Sequence, residues 1–215
     1  FYEPPIEDGA MMYRFRVEHA GGAGGYTAPY DEVWSTPRTD CYTYIVVVPS
    51  NDSFEVAGTV AHELNHATQA AMDCLEPVGI WENTATYIMG QVFPDASYFT
   101  IGTMPYYQSQ PWRALDYMNQ GASDYYEYGG GLFIWYLADT FAPAEGPAFA
   151  AEIWQNSVQD HWENEPDYYD GIEAAVAGDA QRPSLSLYDL PGIWNRRPGP
   201  TLVDGTEPRT GSTSN

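Results

Sequence analysis

The chain has 215 residues, 44% of them hydrophobic, which is enough for one domain with a real core and short for two. Thirty acidic residues against eight basic ones give a formal net charge of −22, a field that repels phosphate backbones and anionic lipid surfaces and so argues against nucleic acid as a partner. No apolar run approaches the ~18–20 residues of a membrane span, the longest being Tyr44–Val48.

The chain opens at Phe1 with neither an initiator methionine nor a signal peptide, as a processed or trimmed end would. All the basic residues are arginine, a bias that fits a GC-rich genome, a salt-rich habitat or an extracellular life. Residues 1–40 are rich in Gly, Pro and Tyr and read as loops and edge strands, with one short strand at Met12–Val17. Tyr42–Val48 is β-branched and aromatic and is closed by Pro49-Ser50-Asn51-Asp52, so it reads as a strand followed by a turn. There are two cysteines, Cys41 just before this strand and Cys74 some thirty residues on; in an exported chain they make one disulfide, otherwise two buried thiols.

Asp52 or Ser53 opens a helix that runs to about Met72, and the Asp52/Glu55 pair has the spacing of a capping box. Val56, Val60, Leu64, Ala67 and Ala71 recur at helical spacing as one apolar stripe, and His62 and His66 lie on the other side. A loop with Pro77 and Gly79 leads to a second helix, about Trp81–Phe93, with Glu82, Ala85 and Met89 on one face. Residues 94–127 are aromatic and irregular and read as loops that could line a groove, plus a short helix near Trp112–Asn119. Helical periodicity returns at Leu132–Phe141 and Pro147–Ser157, with a weaker signal at Leu185–Trp194. From Arg197 onward Pro, Gly, Thr and Ser dominate, so residues 1–196 read as a single domain and 197–215 as a flexible tail or linker.

The chemistry concentrates in His62-Glu63-Leu64-Asn65-His66. Histidines four apart on a helix present neighbouring imidazoles to one ion, and a glutamate beside the first can take a proton from water that the ion has made acidic. Tetrahedral zinc with an open position needs a third protein ligand. The extended motif fails, because Gln69 stands at its glycine and Met72 at its third histidine. Asp124 is one option; Glu82, in a helix that a short loop returns against the first, is preferred. For oxyanion stabilisation the candidates are Tyr128, Tyr125, Tyr126 and His161, Tyr128 ranking first because Gly129–Gly131 beside it would let backbone approach a substrate. The acidic run Glu163, Glu165, Asp167 and Asp170 has the composition for calcium without the order of an EF-hand loop, and otherwise reads as a solvated acidic face.

HELNHATQAAMD, then WENTATYIMGQVFPDASYF, and later YGGGLFIWYLADTF and AEIWQNS, resemble the secreted metallopeptidases of myxobacterial type, which are similar to the gluzincin branch of the zincins. The likeness spans about residues 42–158. It implies His62, His66 and Glu82 as zinc ligands and Glu63 as catalytic base. The fold expected is α+β and zincin-like, a small twisted sheet over a central active-site helix with a mainly helical C-terminal half. The function expected is that of a secreted or cell-surface zinc endopeptidase acting on protein or peptide, with Tyr42–Val48 beside the cleft as a strand for the substrate to pair with. The alternative from another class is a non-catalytic surface or adhesion module with a structural or vestigial zinc.

Overall fold

A computed structural model describes residues 15–18, 24–94, 97–118, 124–159 and 165–177. The architecture is α+β and mostly helical. Three strands, β1 (Phe15–Val17), β2 (Gly25–Glu32) and β3 (Cys41–Val47), form a mixed sheet of order β1-β3-β2, with β1 parallel and β2 antiparallel to the central β3. Tyr42–Val48 is thus a strand within one residue at each end, but it is paired on both sides. β1 pairs with it at Ile45–Val47 and β2 along its length, and none of its residues lines the cleft, so the expectation that it would pair a substrate is corrected: the strand at the cleft is β2. β2 begins at Gly25, contains Pro29 and carries a register shift between Pro29 and Asp31, where proline has no amide to give.

The first long helix, α1, spans Ser53–Ala70. Asp52 caps it, its Oδ1 accepting the amides of Phe54 at 2.9 Å and Glu55 at 3.3 Å. The reciprocal half of the expected capping box is replaced by a relay: the Asp52 amide donates to Ser50 Oγ, and that hydroxyl donates to Glu55 Oε2. Val56, Val60 and Ala67 pack on Ile45 and Val47, so the apolar stripe of α1 faces the sheet as its spacing requires. Leu64 departs from the stripe and is exposed. The other sheet face carries tyrosines: Tyr30 stacks on Tyr42, and Tyr26 meets Tyr44 edge-on.

Helix α2 (Val78–Val92) follows a short loop and packs on α1. The disulfide Cys41–Cys74, with Cα atoms 6.0 Å apart, ties the start of β3 to that loop. The main core lies on the far side of α2, where Ile80, Trp81 and Tyr87 meet Ile134 and Leu137 of α5 (Gly131–Phe141), Phe149 and Trp154 of α6 (Pro147–Asn156) and Ile172 of α7 (Tyr168–Ala177). Each such side chain contributes roughly 1.5–3 kcal/mol when fully buried.

Residues 94–127 depart most from expectation. The helix there is α3, Ser97–Gln108, whose Gly102 and Pro105 obscure its period, while 111–118 contain turns closed by Arg113 N–H to Gln110 O and Tyr117 N–H to Ala114 O instead of a helix. A single-turn helix, α4 (Tyr126–Gly129), leads into α5. Helix α7, in the acidic region, has no counterpart among the helices that periodicity predicts. Its first turn uses Asp167, which accepts the amides of Tyr169 and Asp170. The expected signal at Leu185–Trp194, residues 12–14 of the first strand, His161 and Glu163 lie outside the described residues. No helix among the described residues is long and apolar enough to cross a membrane.

Candidate metal centre

The two faces of α1 fix the site. With the apolar stripe on the sheet, His62 and His66 turn away from it towards α2, while Glu63, beside the stripe, faces β2; all three are buried. Glu82, in the second turn of α2, meets them. Its Oε2 lies 2.9 Å from His62 Nε2 and 3.6 Å from His66 Nε2, and the two Nε2 atoms are 3.0 Å apart. Among the described residues this is the group whose donor atoms converge as metal ligands do. Donors held at zinc–nitrogen and zinc–oxygen lengths of about 2.0–2.1 Å in a tetrahedral shell stand about 3.3–3.4 Å from one another, so a triangle of these edges is of the size that zinc would fill.

The hydrogen bonds behind the triangle decide what it can hold. His66 Nδ1 is 2.8 Å from Gln69 Oε1, and Gln69 Nε2 donates to the carbonyl of Trp81 at 3.2 Å. Because the Trp81 carbonyl can only accept, it orients the amide with Oε1 towards the histidine. His66 therefore donates from Nδ1, and the neutral ring turns its Nε2 lone pair towards Glu82 and His62. A carboxylate and lone-pair nitrogens this close require a shared cation, either a proton or a metal. The electrostatic surroundings of Glu82 and His66 make the same demand. Burial alone would raise the Glu82 carboxyl, yet the His66 and His62 rings outweigh it and hold it well below the usual carboxylate range. Burial would lower His66, but Glu82 and Glu63 more than offset it and raise the ring above its ordinary value. Gln69, which breaks the extended histidine motif in the sequence, is thus the group that fixes the tautomer.

Glu63 is held separately. Thr27 Oγ1, on β2, lies 2.9 Å from Glu63 Oε2 and 2.8 Å from the Glu63 backbone oxygen. Gly25 makes this approach feasible, since a Cβ there would fall 2.7 Å from Val46 O and 2.8 Å from Thr59 Cγ2 of α1. Tyr128 comes to the same place, its ring 5.9 Å from that of His62. Burial first, then the carboxylates of Glu82, Glu127 and Glu63, push its hydroxyl above the ordinary tyrosine value, so it remains a donor at any physiological pH. Tyr125 lines the cleft beside Phe99 and Tyr106, whereas Tyr126 turns away and donates to the carbonyl of Arg113.

Asp124 does not reach the site; its carboxylate is paired with Arg113 at 2.6 Å. The glycines after Tyr128 also do other work than expected. A Cβ on Gly129 would lie 2.5 Å from Thr103 O, and one on Gly130 2.9 Å from Asn83 Cβ, so they admit neighbouring helices, not substrate. Asp167 and Asp170 are engaged at the start of α7, and no calcium-type donor cluster forms among the described residues.

The cleft around these groups has a volume of about 580 Å³, within the usual range for ligand sites. Its lining includes Gly24 and the start of β2, the face of α1 from Glu55 to His66, Cys74 and Glu76 of the following loop, Val78 and Met89 of α2 and the aromatic wall Phe99, Tyr125 and Tyr128.

Neither the curated proteins nor the solved structures yield a match to the chain. The model of a family of unknown function, DUF6055, matches residues 31–166, which is more than half of the sequence and includes His62, Glu63, His66, Gln69 and Glu82. The chain therefore belongs to the DUF6055 family.

Proposed function

We propose that the protein is a zinc-dependent endopeptidase of zincin-like, gluzincin-type organisation, exported from the cell, with His62, His66 and Glu82 as the ligands. The observation that carries this reading is the converging triangle of buried lone-pair donors with Gln69 fixing the tautomer of His66. Zinc bound there would supply Lewis acidity to water and to the scissile carbonyl. The remaining work falls to the chain. Glu63 takes a proton and returns it to the leaving amine, while the Thr27 hydroxyl, shared between the Glu63 backbone oxygen and Oε2, holds the side chain in place. The Tyr128 hydroxyl, kept protonated, donates to the developing oxyanion. β2, an edge strand among the described residues, borders the cleft, where an extended peptide would add as a further strand. The disulfide fits an oxidising compartment.

Glu63→Gln separates binding from chemistry. The variant is expected to fold and to retain one zinc per chain, while peptide hydrolysis falls by about 10²–10⁴-fold or more. Metal analysis of protein purified without chelator, together with digestion of an unbiased peptide library, checks both halves. Zinc-loaded parent protein that cleaves nothing would reject the peptidase reading and favour a non-catalytic module.

A further inference from the structure

The lining of the cleft includes a fourth kind of group that neither the metal centre nor the proton chemistry uses. Glu76 sits in the loop before α2, is 5% exposed, and lines the cleft that also holds His62 and His66. The Tyr168 backbone hydrogen-bonds to its carboxyl group, but Oε1 is buried with no hydrogen-bond partner. In the free protein burial and the nearby Asp73 hold a proton on this carboxyl, and an oxygen that stays unpaired beside an open cavity points to a partner from outside, a cation that would take the proton's place. Among the described residues no arginine lines the cleft, the described ones being Arg16, Arg38 and Arg113. Asp73 and Asp167 lie near enough to act on Glu76 electrostatically, which adds negative potential behind it.

Position along the cleft gives the group a role. Val78, two residues beyond Glu76, and Met89 both line the cleft, and Glu82 lies between them on α2. Helical rise separates Val78 from Met89 by about 16 Å. A chain lying along α2 would therefore cross the metal centre with Glu76 on one side and Met89 on the other. The net charge of −22 would also draw cationic chains towards the protein.

We propose that Glu76 forms a recognition subsite for a cationic group of the substrate, an ammonium or guanidinium, so that the peptides taken are those carrying Lys, Arg or a free amino terminus at one fixed position from the cleaved bond. The inference rests on the peptidase reading for its substrate class, and the test has an arm independent of turnover. In that arm, zinc-loaded Glu63→Gln protein binds a peptide containing arginine and its citrulline counterpart, compared by calorimetry. Citrulline keeps N–H donors and loses only the charge. The arginine peptide is expected to bind about tenfold tighter or more, and adding Glu76→Gln should bring that ratio close to one. In the other arm, active protein digests libraries with arginine or citrulline at each position, and the preference should appear at a single position. Binding selectivity without any hydrolysis would reject the peptidase and keep the subsite. Equal binding of the two peptides by the parent, or a preference that survives Glu76→Gln in folded protein, would overturn the subsite and leave the peptidase standing. The parent's arginine-to-citrulline ratio is decisive even if Glu76→Gln does not fold.

Discussion

Histidine at a metal centre must be neutral with the correct nitrogen protonated, and Gln69 arranges this for His66 while its own amide is held by the Trp81 carbonyl. Glu82 completes the triangle from a different helix, so its removal is expected to weaken zinc binding severely while Asp124→Ala, which only breaks a pair with Arg113, leaves it unchanged. Zinc titration of the two variants against a competing chelator decides this; tight binding by Glu82→Ala and loss in Asp124→Ala would move the third ligand to Asp124. At Glu76, burial followed by the nearby Asp73 and Asp167 pushes the carboxyl up to about 8, against an ordinary value of 4.5. Between those values the folded state holds a proton that the unfolded chain has released. Its contribution to stability is therefore fully present below the lower value and is lost, by a few kcal/mol, as pH rises through about 8. Denaturant unfolding on either side of that window should show the loss in the parent and a smaller one in Glu76→Gln. A parent whose stability rises across the window would contradict the assignment.

Elements meet at this site through small residues. The run Gly129–Gly131 carries α4 into α5 against α2 and α3, and a side chain at Gly129 would collide with the Thr103 carbonyl and with Tyr107 Cβ. Gly129→Ala is expected to destabilise the fold by about 1–3 kcal/mol through overpacking, read as a lower denaturation midpoint with unchanged slope. Because Tyr128 is its neighbour, the same change should lower peptide hydrolysis more than it lowers zinc content. The elements differ in how much of them the sequence reveals. Helices α1 and α2 and strand β3 are legible because caps, a 3.6-residue apolar period and a β-branched run are local signals. Helix α3 is hidden by Gly102 and Pro105, and β2 by Gly25 and Pro29, all poor in the local propensity that a sequence reading relies on; of these, Gly25 is required by close packing, since a Cβ there would fall 2.8 Å from Thr59 Cγ2 of α1.

Across the whole molecule, Cys41–Cys74 closes a separation of 33 residues that contains all of α1. In the chain-entropy model, opening it should cost about 3–4 kcal/mol, visible as a lower midpoint of unfolding in reductant, and the unreduced denatured protein should show no titratable thiol. Two free thiols in that state would refute the bridge. Sequence alone determined the identity of the metal-ligand candidates, because the spacing of His62 and His66 and a capped helix are properties of neighbouring residues. Only the tertiary structure brought Glu82 to the two histidines while pairing Asp124 with Arg113, brought Thr27 to Glu63 across 36 residues, and left Glu76 Oε1 buried without a partner beside the cleft. These outcomes depend on which faces are buried against each other, a long-range packing choice that no local pattern encodes.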